Sequence, residues 1–120
     1  MIYEVLQNTK GNPNDKANLD ARILGKLGNT HYVENYEVVA DIEADNLEEV
    51  FKISNTGDES KITRYAKMHS VSVGDVIRDD KYSYVVKMFG FERLPMSAEY
   101  HKARKEVDNG TYITSRKKWN

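Results

Sequence analysis

His69, Ser70 and Asp75 bring the side-chain types of a nucleophilic triad close together in sequence. A triad needs the imidazole to take the serine proton while the carboxylate holds the other ring nitrogen. His69 and Ser70 are adjacent, however, and adjacent side chains on an extended segment point to opposite faces, so acyl-transfer chemistry is not expected here. The other two histidines, His31 and His101, are scattered, and none of the three recreates a metal-ligand signature such as H-E-x-x-H. With no cysteine in the chain, disulfides, thiolate nucleophiles and thiolate-bound zinc or iron–sulfur centres are excluded together. Walker and dinucleotide-binding glycine patterns are also missing. The residues therefore predict no catalytic group, no metal site and no cofactor.

Two charged clusters remain. Asp41, Glu43, Asp45, Glu48 and Glu49 form the densest acidic run. It reads as a solvated face whose last two members favour a helix N-terminus; a divalent-cation site or an acidic surface mimicking nucleic acid are the sharper alternatives. Near the C-terminus, Lys102, Arg104 and Lys105, then Arg116, Lys117 and Lys118, are interleaved with Tyr100, Tyr112 and Trp119. Cations beside stacking rings suit phosphate backbones and single strands. Lys102, Arg104, Lys105, Tyr112, Arg116, Lys117, Lys118 and Trp119 are thus the candidate binding residues.

The scaffold that must carry these groups is one domain, 1–120, with a mobile basic tail expected from about residue 109. The chain has 120 residues, 39% hydrophobic and 31% charged, which gives a globular composition with a modest core. Its formal net charge is −1, yet residues 1–60 carry five basic against twelve acidic side chains, and residues 61–120 thirteen against seven. Such asymmetry fits two halves that attract one another or two faces with different partners. No window is apolar enough for a signal or membrane-spanning segment, so a cytoplasmic protein is expected.

Alternation of β-forming residues predicts a strand over residues 2–7. A polar Asn/Gly/Pro stretch follows, then a short helix over 19–27 between Asn18 and Gly28. Period-two patterning from Tyr32 to Glu43 predicts a second strand, with Tyr36, Val38, Ala40 and Ile42 on one face. Asp45 and Glu48 suggest a capping box for a helix over 46–54, with a stripe of Leu47, Val50 and Phe51. Gly74-Asp75 and residues 78–81 read as turns, Tyr82–Met88 as a half-buried strand, and Phe89-Gly90-Phe91 as a bend or an adjoining short strand. A helix over 98–106 and a terminal strand at residues 111–115 complete the pattern. The expected fold is α+β: a mostly antiparallel sheet of four or five strands packed with two or three short helices. Its core should include Val38, Ala40, Val73, Val86 and Phe91. Phe51 should dock its helix, so that Phe51→Ala would cost about 3–5 kcal/mol.

DNLEEVFKISN, MHSVSVGDVI and YSYVVKMFGFERL occur in that order between residues 45 and 94. Together they resemble the small YodL-like domains of phages, plasmids and other mobile elements. The most specific stretch runs from Ser70 to Ile77. Its own physics is that of a structural turn: Gly74 supplies a positive φ, Asp75 accepts turn amides, and Ser70 and Ser72 face away from the valines. Lining of a ligand groove by these serines and Asp75 is the functional alternative. The resemblance carries an accessory-gene context and no biochemical activity; the expected function is a non-catalytic accessory protein of a mobile element, acting in the host cytoplasm if phage-encoded, that binds a host or phage macromolecule, with a defence component as its narrower form and a nucleic-acid-binding module using the basic aromatic C-terminal segment as the alternative. A protein partner is expected ahead of nucleic acid, membrane association is not expected, and the sequence leaves the oligomeric state open.

Overall fold

In the computed structural model, residues 1–9 and 36–94 are described, together with the isolated positions 16 and 20. The fold is α+β. Six strands, β1 (Ile2–Asn8), β2 (Tyr36–Glu43), β3 (Ile62–Arg64), β4 (Val76–Arg78), β5 (Ser83–Val86) and β6 (Phe91–Arg93), form one sheet in the order β3-β2-β1-β4-β5-β6. Every pairing is antiparallel. The sheet thus exceeds the expected four or five strands, because the apolar segments around residues 62 and 76 pair as short strands at the ends of polar turns. A helix, α1 (Leu47–Thr56), and a 3-10 turn (Glu59–Lys61) accompany it, and the isolated positions 16 and 20 are also helical. The expected helices over 19–27 and 98–106, the strand at 111–115 and the basic tail lie outside the described residues.

β1 is the central strand and is buried from Tyr3 through Gln7, since both its edges are paired and both its faces are covered. Val5 pairs with Ala40 but Leu6 pairs with Val38, so Val39 is an extra residue in β2. This bulge corrects the simple alternation expected for β2. An inserted residue exchanges the faces on its two sides: Ala40 and Ile42 join the core on the helix side, whereas Tyr36 and Val38 join a second core on the opposite side. The bulge carbonyl of Val39 accepts the N–H groups of both Tyr65 (2.8 Å) and Ala66 (3.3 Å), which starts residues 65–75 across the helix side.

α1 begins one residue later than the expected cap. Asn46 accepts the N–H of Glu49 (2.8 Å), and the Glu49 carboxylate accepts the N–H of Asp45 (3.2 Å). It ends at Gly57, whose φ of 73° closes the last turn through its N–H to Ile53 O (3.0 Å). Val50 and Ile53 are buried, but Phe51 is 39% exposed, so the expected docking role of Phe51 is corrected. Adjacent helical side chains diverge by about 100°, and the core stripe follows Leu47, Val50 and Ile53. Val50→Ala should therefore cost about 2 kcal/mol, and Phe51→Ala no more than about 1 kcal/mol, as read from urea midpoints. Comparable losses would contradict this packing. Val38, Ala40 and Val86 are buried as expected, while Val73 and Phe91 are only partly so.

Candidate functional site

The turn from His69 to Val76 is held to the end of β1 by one amide side chain. Gln7 is 2% exposed. Its Nε2 donates to His69 O (2.9 Å) and to Asp75 Oδ2 (3.1 Å), and its Oε1 accepts the N–H of His69 (3.3 Å). The side chain thereby imitates a strand neighbour for His69 and fixes Asp75 at the same time. Asp75 Oδ2 also accepts the N–H of Ser72 (3.0 Å), and its own N–H donates to Ser72 O (3.0 Å), closing the turn. Gly74 sits at φ 91°. Its N–H reaches Val86 O (2.9 Å) and its carbonyl accepts the Tyr36 hydroxyl, so the turn is tied to β5 and β2 as well. A Cβ at that φ is strained, most of all a branched one. Gly74→Val should cost about 1–3 kcal/mol in chemical denaturation, and an unchanged midpoint would remove the turn from the list of fold determinants.

Ser72, Gly74 and Asp75 make a turn, with Ser70 preceding it. Burial is the chief cause that raises Asp75 to about 6; the Ser72 N–H, the His69 charge and the Gln7 amide oppose it. The imidazole Nδ1 of His69 lies 3.8 Å from Asp75 Oδ2, with the ring 62% exposed. Among the described residues neither serine hydroxyl hydrogen-bonds His69 or Asp75; the serine contribution is the backbone of Ser72 and the carbonyl of Ser70, 2.8 Å from His69 Nδ1. Carboxylate and imidazole are paired there, but no hydroxyl is placed for attack. Gln7 and Tyr36 belong to this cluster without any sequence signal, because their partners lie 62 and 38 residues away.

A second feature lies at the far end of the sheet, on the helix side. Glu48 and Phe51 of α1 face Val86, Lys87, Met88, Gly90 and Phe91 across a groove of about 240 Å³. The β5–β6 hairpin turns within four residues: Lys87 N–H donates to Gly90 O (3.0 Å), Gly90 takes φ 78°, and Lys87 Nζ pairs with Glu92 Oε2 across the strands (3.2 Å). Met88 and Phe89 are left at the tip, 67% and 90% exposed. The signal available in the sequence was Met88-Phe89 before Gly90, two adjacent apolar residues that break the alternation of β5 just where the chain reverses.

The acidic run does not form one face. Asp41 is partly buried and accepts the Tyr65 hydroxyl, Glu43 and Asp45 are exposed, and Glu48 and Glu49 occupy the first turn of α1. Among the described residues no group of three or more metal-ligating side chains converges, and no helix is long and apolar enough to cross a membrane. The candidate binding residues Lys102, Arg104, Lys105, Tyr112, Arg116, Lys117, Lys118 and Trp119 lie outside the described residues. The chain matches no protein-family model, no curated protein and no solved structure.

Proposed function

We propose that this chain is a non-catalytic accessory module that acts by binding a protein partner, in keeping with the accessory-gene context of the YodL-like mobile-element proteins it resembles, in the cytoplasm of the host cell. A component of a defence system is the narrower form of this reading. One observation carries it: the exposed Phe51 and Met88 line a mostly apolar groove at one end of the sheet, and Phe89 is exposed beside Met88 at the hairpin tip. Burying an aromatic side chain of this kind contributes about 1.5–3 kcal/mol, and clusters of aromatic and Met side chains beside a cavity are the usual anchors of protein interfaces.

The test is affinity capture from the cells that carry the gene, comparing the wild-type chain with Met88→Asp/Phe89→Asp. The wild type should retain a protein that the double variant loses, with thermal midpoints of the two within a few degrees. Binding of mixed-sequence nucleic acid near ~0.15 M salt would overturn the reading. That binding would weaken linearly in log salt, with a slope reduced by about 2–3 on replacing Arg116, Lys117 and Lys118 by Ala. In that case the C-terminal cations would be the functional site.

A further inference from the structure

We propose that β6 accepts an extended peptide of a partner protein as an added antiparallel strand, with the groove beside α1 taking one apolar side chain of that peptide. The inference rests on the protein-binding reading and specifies its geometry. β6 is the last strand of the sheet among the described residues. Lys87 N–H donates to Gly90 O and Leu94 N–H donates to Ser83 O (2.8 Å), so the backbone groups of residues 90, 92 and 94 point inward. By the alternation of an antiparallel ladder, the N–H and C=O of Phe91 and Arg93 point outward from the edge. An edge with such groups is a template for strand addition unless charge or twist discourages it.

The groove lies on the same side of the sheet as the Phe91 side chain, which lines it together with Phe51. A strand added about 4.8 Å beyond β6 would send alternate side chains toward that side, and nothing stands within 4 Å of the position a Cβ would take on Gly90. Main-chain hydrogen bonds to Phe91 and Arg93 would then supply the docking, and the groove would supply the selection.

The charges along β6 define the occupant. Glu92 is directed to the opposite side of the sheet from Phe91 and Arg93, and its side chain stays 63% exposed beside the Lys87 Nζ that meets one of its oxygens. Opposite charges facing one another across a ladder are favoured, so the peptide should carry an acidic residue opposite Arg93, a basic one opposite Glu92 and an apolar one opposite Phe91. Antiparallel direction makes this acidic–basic–apolar from N- to C-terminus. A second copy of the chain fits less well. Full-length antiparallel pairing of two β6 strands sets Phe91 against Arg93 and Glu92 against Glu92 of the other copy, and like charges directly opposite are destabilising.

The experiment pans a phage-displayed library of random eight-residue peptides on the full chain, then titrates the best selected peptide into isotope-labelled protein. Enrichment of acidic–basic–apolar sequences is expected, with the largest amide shifts and new exchange protection at Phe91 and Arg93. Phe51→Ala should weaken the peptide at least about tenfold, as should Arg93→Pro, which removes one outward N–H. Selection of peptides with apolar residues at helical spacing, shifting Phe51 and Met88 but not the amides of Phe91 and Arg93, would overturn strand addition and leave the protein-binding reading in place. Failure to select any peptide that shifts either set would overturn both. Concentration-dependent doubling of mass with protection at Phe91 and Arg93 in the absence of peptide would replace the partner by a second copy.

Discussion

Replacing Glu4 by Ala is expected to destabilise the fold by about 3–5 kcal/mol, the largest effect of any single substitution considered. Arg78 is 0% exposed and Glu4 4%. The two are cross-strand partners in the β1–β4 ladder, and the guanidinium meets the carboxylate through two contacts, Nε to Oε1 and a terminal nitrogen to Oε2, each 3.2 Å. Such a fork holds the two ions together by charge-assisted hydrogen bonds in a place water does not reach. Removing the carboxylate takes two charge-assisted contacts from a fully buried guanidinium, and that loss of compensation dominates over the attraction itself. The Glu4→Leu/Arg78→Met pair should therefore lose less than either Glu4→Ala or Arg78→Ala, because two apolar side chains need no compensation. Urea denaturation of the three variants decides it. A cost below about 1 kcal/mol for Glu4→Ala would mean that other groups solvate Arg78.

Asp75 should make stability fall as pH rises. Its carboxyl is raised from 3.8 to about 6 in the folded chain, chiefly by burial. The folded state therefore holds this proton more tightly than the unfolded chain does. The contribution is fully present below the unfolded value near 4 and is lost as pH rises through about 6, after which the ionised carboxylate stays buried at a fixed penalty. At about 1.4 kcal/mol per unit, the loss amounts to roughly 3 kcal/mol.

Asp75→Asn isolates this group from the other carboxylates. The asparagine carbonyl can accept the Ser72 N–H and the Gln7 amide as Asp75 does, while carrying no charge. The stability difference between variant and wild type should move in favour of Asn by up to roughly 3 kcal/mol between about pH 4 and 6 and remain flat above. Guanidinium midpoints at closely spaced pH values measure it. A difference that does not change across this window would show that Asp75 titrates as an ordinary exposed carboxyl.

The local features of the chain were legible because their causes are local. Gly74 takes its positive φ between valines that favour extended backbone, so the turn follows from sequence. Helix α1 was also legible, although the cap moved from Asp45 to Asn46. Both residues can cap, and the choice fell to the register that also seats Val50 and Ile53 on the sheet. The same register explains Phe51. Leu47, Val50 and Phe51 make an acceptable stripe on an isolated helix, and only the position of the sheet decides which edge of that stripe is covered.

The sequence by itself determined the fold class, the strands β1, β2 and β5, the turn at Gly74 and the absence of cysteine chemistry, since these depend on residue type and short-range spacing, whereas the three-residue β3 and β4 are defined only by the strands they pair with. The tertiary structure decided which face of each strand is buried, because the single inserted residue at Val39 exchanges the two faces of β2 and no local periodicity reports an insertion that is defined only by the partner strand. It also decided the roles of Glu4, Gln7 and Phe89. No local pattern marks Glu4 or Gln7 as buried or Phe89 as exposed. β1 is central and covered on both faces, so Glu4 needs Arg78, and Gln7 needs the backbone of His69 and the carboxylate of Asp75, from residues more than sixty positions away. The hairpin reverses at Phe89, so its ring stands outside. Each of these is a pairing between distant segments, and the free energy of such a pairing exists only after the chain has closed the loop between them.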